Sequence, residues 1–403
     1  MAMGHLRRLQ LLVTAGVLGA LAGCSSGADQ GSASTPPVST VASSARSSSV
    51  TSSSPRPTPA AAPVDCVGRT MATMSVRDKL AQLLTVGVSG AADARSVVAQ
   101  SHVGGIFVGS FTDRSMLTNG GLATAKKASP LPLMVTVDQE GGRVSRLRSL
   151  GVDSPSAREL AASQSPAQVR ATARGIGAKL KRLGITVDFA PDADVSDESA
   201  DEVIGDRSFS DDPQTVARYA DAFATGLGDA GIMPVFKHFP GHGHGSGDSH
   251  TGTVLTPPFP QLIRDDLMPY KTLVTGTEAD AHRGIMVGHL IVPGLTGPDT
   301  PASISPKAMA LLRSGTGYGG KRFDGPIFTD DLSGMAAITA KYGVVQAVKL
   351  ALTAGADVAL WLSTDQVPAV LDSLQAAVRS GGLSQARVDA SVRRVLTAKG
   401  LTC

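Results

Sequence analysis

The residues best equipped for chemistry crowd into one run, Lys237-His238-Phe239-Pro240-Gly241-His242-Gly243-His244-Gly245-Ser246-Gly247-Asp248-Ser249-His250. Asp248 and His250 stand two apart, close enough to face each other across a tight turn. A carboxylate paired to an imidazole fixes its tautomer and raises its basicity, which makes a general acid/base group near neutral pH. The spacing leaves two other readings open: a loop that binds zinc or copper through His242, His244, Asp248 and His250, or a solvated loop with no role. Its alternating glycines predict little side-chain anchoring and a loop able to move.

A second concentration is Phe323-Asp324-Gly325-Pro326-Ile327-Phe328-Thr329-Asp330-Asp331-Leu332, two adjacent acids straight after an apolar strand. Strand alternation predicts that one acid faces a site and the other points away, with Asp331 the better candidate for a helix cap. A carboxylate aimed into a pocket beside cations can act as a nucleophile. With a separate proton donor, it makes the two-group apparatus of retaining glycoside cleavage.

Positioning these groups takes a regular scaffold. Eight apolar runs read as strands: 83–88, 105–108, 133–137, 186–190, 233–237, 284–287, 326–329 and 358–362. Helical patterns separate them, among them 168–183 and 213–230, the latter opening after Asp211 and Asp212, which suit an N-terminal cap. Continuous apolar strands alternating with helices predict a single (β/α)8 barrel of the TIM type, with a doubly wound open sheet as the alternative. In such a barrel functional groups collect at the C-terminal ends of the strands. Strand three runs into Asp138-Gln139-Glu140-Gly141-Gly142-Arg143, strand four into Asp188, Asp192 and Asp194, strand five into Lys237-His238, strand six toward His289, and strand seven into Asp330-Asp331. Capping needs no Lys, Arg or His there. Residues 363–403 hold two more helices, 365–380 and 384–399, and leave no room for a second globular domain.

The N-terminal segment has a different character. Arg7 and Arg8 precede an apolar run from Leu9 to Leu21, too short for a comfortable span, and then Leu21-Ala22-Gly23-Cys24. This pattern predicts an export signal over residues 1–23, and its ending looks like the lipobox of bacterial lipoproteins, with Cys24 receiving lipid and anchoring the protein to a membrane. Residues 24–65 then form a Ser/Thr/Pro/Ala tether that cannot bury enough apolar surface to order itself, with a reach on the order of 35 Å. The folded domain is expected over 66–403. Of 403 residues 42% are hydrophobic and 18% charged, and the net charge is +3. So small a charge, with no basic cluster, is a poor footprint for nucleic acid. The other cysteines, Cys66 and Cys403, form no CxxC pair, which excludes a thiolate zinc or thioredoxin-like motif. They bracket the folded body in an oxidising compartment and are expected to form a disulfide, since domain termini often lie close together.

Five motifs in order carry a resemblance: Asp138-Gln139-Glu140-Gly141-Gly142-Arg143-Val144-Ser145-Arg146, Gly205-Asp206-Arg207-Ser208-Phe209, Lys237-His238-Phe239-Pro240-Gly241-His242-Gly243, Asp248-Ser249-His250 and Thr329-Asp330-Asp331-Leu332. The chain resembles glycoside hydrolase family 3, above all its single-domain β-N-acetylhexosaminidases, over about residues 70 to 400. The resemblance implies Asp330 as nucleophile, His250 as acid/base oriented by Asp248, and Asp138, Arg146, Arg207, Lys237 and His238 as groups that hydrogen-bond the sugar before the scissile bond. Arg and Lys would also hold Asp330 ionised.

It implies no cofactor, and a small carbohydrate substrate carrying N-acetylglucosamine, with peptidoglycan fragments expected for an exported, tethered enzyme. Phosphorolysis by the same residues, a metal-dependent hydrolase and a glycan-binding lipoprotein without turnover are the alternatives. Two departures from the family pattern, Gly-His-Gly-Ser-Gly at 243–247 and Asp192 after Pro191, fall outside the catalytic positions. They are expected to bear on loop closure and aglycone preference.

Overall fold

The computed structural model describes residues 65–403. The expected export signal, Cys24 and the expected tether up to residue 64 lie outside the described residues. At its centre is a closed ring of eight parallel strands: β1 (Leu84–Gly87), β2 (Gly105–Val108), β3 (Met134–Val137), β4 (Val187–Asp188), β5 (Met233–Phe239), β6 (Gly284–Val287), β7 (Ile327–Asp331) and β8 (Val358–Trp361). Each strand pairs with its neighbours in chain order and β8 closes on β1, with Leu84 opposite Ala359. This is the (β/α)8 barrel that the alternating apolar runs predict, and it rules out the open sheet. The strands read as unbroken apolar runs because helices cover their outer faces; every residue of β1, β2, β3, β6 and β8 is buried. Only two residues of β4 keep regular pairing, but the backbone bonds from Thr186 N–H to Val135 and from Val235 N–H to Ala190 carry the wall across the expected 186–190.

The helices begin at capping residues, one of them expected and one not. Helix Pro166–Arg182 opens on a capping box between Ser165 and Gln168. Helix Pro213–Asp229 opens on Asp212, whose carboxylate accepts the Thr215 N–H at 2.9 Å. Inside the barrel Phe189 lies 5.9 Å from Phe107 and 5.5 Å from Phe328, ring centre to ring centre, an aromatic layer under the mouth.

The N-terminal end of the barrel is closed by ions and a covalent staple. Asp357, fully buried before β8, accepts from Arg313, from Ser391 Oγ at 2.7 Å and from the Ile327 N–H at 2.9 Å, with Arg394 Nη1 at 3.4 Å and Arg387 Nη2 at 3.5 Å. These contacts tie helices Pro306–Ser314 and Gln385–Ala398 to the sheet. A disulfide joins Cys66, at the start of helix Cys66–Thr73, to Cys403, with 5.3 Å between the Cα atoms across 337 positions of sequence. Closing so long a loop restricts the unfolded chain.

Candidate active site

At the C-terminal ends of the strands the barrel opens into a cavity of about 620 Å³. All eight residues expected to act in catalysis or sugar binding line it, from Asp138 after β3 to Asp330 in β7. Its base is an ionic cluster. Lys237 Nζ lies 2.8 Å from Asp138 Oδ1 and 2.6 Å from Glu140 Oε1. Arg207 grips Glu140 with both ends of its guanidinium, at 2.8 and 2.9 Å. Glu140 is buried, which alone would raise its pKa, but Arg207 and Lys237 hold it far below the usual carboxylate range. Burial likewise works against the Lys237 ammonium, and Asp138 and Glu140 outweigh it and raise its pKa. Arg146 is placed through its backbone, its carbonyl accepting from Arg114 Nη1 at 2.7 Å.

The sequence motifs assign Glu140 no role, although its spacing carries a signal. It stands two residues after Asp138 in an extended segment, Gln139–Gly141, and so shares its face. The residue between them turns away: Gln139 is buried, accepting the Leu147 N–H at 2.9 Å and donating to the Val152 carbonyl at 3.2 Å.

Lys237 and His238 are sequence neighbours, and a regular strand would send them to opposite faces. The pairing of β5 with β6 slips between Phe236 and Phe239, and both side chains reach the mouth. Asp194 fixes His238: its Oδ2 lies 2.7 Å from His238 Nδ1, and its Oδ1 accepts the backbone N–H groups of His238 (3.2 Å) and His242 (2.7 Å). A carboxylate on Nδ1 leaves Nε2 toward the cavity, 4.0 Å from Asp330 Oδ2. Burial would raise the pKa of Asp194, and His238 and His242 bring it far below the ordinary value.

Asp330 is treated the same way. Burial acts to raise its pKa, but His238 and His289, with the Asp331 N–H donated at 2.8 Å, bring it below the usual range. Of the cations expected to hold Asp330 ionised, Lys237 does act that way, though less than His238, which contributes most, while Arg207 is committed to Glu140. His289 is buried, which pushes its pKa down; it donates from Nε2 to the Asp331 carbonyl and accepts from Ser303 Oγ, both at 2.7 Å.

Contrary to strict alternation, Asp331 does not point away but also lines the cavity, because the pairing of β7 with β8 shifts between Phe328 and Asp331. Its carboxylate is nevertheless occupied, accepting from Ser333 N–H (2.8 Å), Ser333 Oγ (2.7 Å) and Gly334 N–H (2.8 Å). These bonds close the turn after β7, so the helix cap expected of Asp331 is not formed: the next helix, Ala336–Thr339, starts from Met335.

Asp248 and His250 meet as their spacing suggests. Asp248 Oδ1 lies 2.8 Å from His250 Nδ1 and accepts the His250 backbone N–H at 2.8 Å. The imidazole is 66% exposed and free at Nε2 to exchange a proton with a bound molecule. The loop that carries it is better anchored than its glycines predict. Gly243 presses on the strand-four loop so closely that a Cβ would come within 1.9 Å of the Val195 carbonyl. His242 is buried, His244 bonds Asp266 at 3.0 Å, and the carbonyls of Ser249 and His250 accept from Ala337 and Ala336 at 3.0 and 3.3 Å.

These attachments pull His242 and His244 apart from the Asp248–His250 pair, so the four do not gather as a metal site. Among the described residues Asp192, Asp194 and His238 alone bring three ligand atoms within 4.8 Å of one another. Asp194 is already saturated there by His238 and backbone N–H groups. Asp192 also corrects the expectation that the departures lie clear of the site: its Oδ2 is 3.6 Å from Arg207 Nη2 and 3.9 Å from His238 Nδ1.

A parallel barrel with a half-buried carboxylate and an Asp–His pair at one mouth has the two groups that glycoside hydrolysis needs. The chain belongs to glycosyl hydrolase family 3, whose N terminal domain matches residues 75–398. It is 57% identical to a protein named beta-hexosaminidase LpqI from Mycobacterium tuberculosis, over 88% of this chain and 91% of that one. A crystal structure of a family 3 member from Mycobacterium smegmatis superimposes with a TM-score of 0.79 at 59% identity, covering 82% of this chain and 99% of the other. A family 3 β-N-acetylglucosaminidase from a Paenibacillus species gives a TM-score of 0.73 at 34% identity, covering 81% of this chain and 62% of the other.

Proposed function

We propose that the protein is a retaining β-N-acetylglucosaminidase that removes N-acetylglucosamine from non-reducing ends. The observation that carries the mechanism is one cavity holding both a half-buried carboxylate whose pKa is held down, Asp330, and an exposed imidazole oriented by a carboxylate, His250 with Asp248. Asp330 attacks the anomeric carbon while His250 protonates the departing oxygen, giving a glycosyl-enzyme and the free aglycone. His250, now neutral, takes a proton from water, whose oxygen displaces Asp330 and releases the sugar. Asp138 accepts from sugar hydroxyls, and Arg146, Arg207, Lys237 and His238 donate to sugar oxygens. The beta-hexosaminidase name of the mycobacterial relative and the Paenibacillus glucosaminidase support the choice of sugar.

Export by residues 1–23, lipidation at Cys24 and a tether to residue 65 belong to the same proposal, supported by the Leu-Ala-Gly-Cys ending and the low-complexity run. An enzyme held there meets peptidoglycan fragments first, which makes them the proposed substrates. The test is turnover of an aryl N-acetyl-β-glucosaminide, with and without chelator and with and without phosphate. Free N-acetylglucosamine in every arm is expected. Loss of activity on chelation supports a metal-dependent hydrolase instead, sugar 1-phosphate supports phosphorolysis, and no turnover leaves a binding protein.

A further inference from the structure

The cavity has two unlike walls. Over β3 to β5 it is charged, through Asp138, Glu140, Arg207 and Lys237; after β2, β7 and β8 the connecting loops add apolar groups, Phe111, Met335 and Leu362. Phe111 is 47% exposed, one of three large hydrophobic side chains so exposed among the described residues, and the only one of the three in this cavity. It is held rigidly. The next residue, Thr112, is buried, donating from Oγ1 to the Val88 carbonyl at 2.7 Å and accepting the Gly109 N–H at 3.0 Å. The Asp113 N–H then bonds the Ser89 carbonyl at 2.8 Å. The ring lies against Gly109, where a Cβ would come within 2.4 Å of it, and Phe107 backs it at 6.5 Å between centroids. A single exposed hydrophobe is ordinary, but a pinned turn that offers an aromatic face to a carbohydrate cavity is a prepared surface.

We infer that Phe111 is the stacking platform of an aglycone subsite, and that the group beyond the scissile bond is a pyranose ring lying with its C–H face on the phenyl ring. This inference rests on the β-N-acetylglucosaminidase reading. The first sugar needs partners for its hydroxyls, and those lie deep, on the buried charged wall. The next ring lies outward, at the rim, where the wall is apolar and Phe111 half-exposed. Loss of such a platform is expected to read as about a tenfold effect, which corresponds to about 1.4 kcal/mol.

The experiment compares kcat/KM for N,N′-diacetylchitobiose and for methyl N-acetyl-β-glucosaminide, whose aglycone cannot stack, in the wild type and in Phe111→Ala, Phe111→Leu and Phe111→Trp. The disaccharide-to-methyl ratio is expected to fall about tenfold in Phe111→Ala through KM, to stay low in Phe111→Leu and to recover in Phe111→Trp. An unchanged ratio in Phe111→Ala overturns the inference, as do equal losses on both substrates, which place Phe111 against the first sugar. Recovery in Phe111→Leu overturns the stacking geometry. A wild type that cleaves neither glycoside strikes the underlying activity, whereas with a wild type that cleaves both, an unchanged ratio strikes the role of Phe111 alone.

Discussion

At the N-terminal end of the barrel Asp357 is buried among Arg313, Arg387 and Arg394; at the C-terminal end Glu140 is buried between Arg207 and Lys237. The two clusters have the same ingredients, a desolvated carboxylate and cations that keep it charged. They differ in what is left over. Around Asp357 both oxygens are taken by protein donors, and the arginines run on into backbone carbonyls such as those of Phe323, Gly325 and Ala356. Around Glu140 the cluster ends at a cavity, with His238 Nε2, the second oxygen of Asp138 and Asp330 Oδ2 facing it. A perturbed buried charge therefore does not by itself mark a site; an unspent valence beside an open volume does.

Substitutions at the two ends should separate accordingly. The largest effect is expected from Asp330→Asn, which removes the proposed nucleophile: kcat on an aryl N-acetyl-β-glucosaminide should fall on the order of 10⁴-fold, with melting temperature nearly unchanged. His250→Ala is expected to lower kcat/KM for a disaccharide by about 10² to 10⁴. It should cost far less with an aryl leaving group, which needs little protonation; equal losses on both would remove His250 as the acid.

At the other end the signs exchange. Asp357→Asn leaves three half-buried guanidinium groups around a neutral, buried amide, and denaturant unfolding should show a loss of about 3 kcal/mol with kcat within about twofold of wild type. The smallest effect is on pH dependence. Lys399 Nζ bonds the neutral Gln82 Oε1 at 2.6 Å, and burial pushes its pKa down to about 7. An unfolded lysine keeps its proton to about pH 10.4. Between those values the unfolded chain binds more protons than the folded one, so stability should rise with pH. Melting curves at pH 7 and pH 9 should show that rise, and Lys399→Met should reduce it.

The contrast also marks how much the sequence discloses. The barrel is legible because β1 to β8 are buried on both faces and read as apolar runs, and the nucleophile, dyad and first-sugar residues are legible as ordered motifs. What pairs with what is not. That Arg207 clasps Glu140 and that Asp194 aims His238 depends on loops from different strands meeting at the mouth. The slips that turn both Lys237 and His238, and both Asp330 and Asp331, to the cavity depend on how β5 and β7 register with their neighbours. The glycine-rich loop suggests mobility in isolation, and Val195 and Asp266, distant in sequence, supply its anchors.

The central claim is that Asp330 forms a covalent bond to the sugar while its neighbour Asp331, whose pKa burial raises, does not. A slow-turnover 5-fluoro N-acetyl-β-glucosaminyl fluoride, followed by peptide mass mapping of the trapped enzyme, tests it directly. The expected result is one glycosyl adduct on the peptide containing Asp330, localised to that residue and absent in Asp330→Asn. An adduct on Asp331, or turnover with no trapped intermediate, would contradict it.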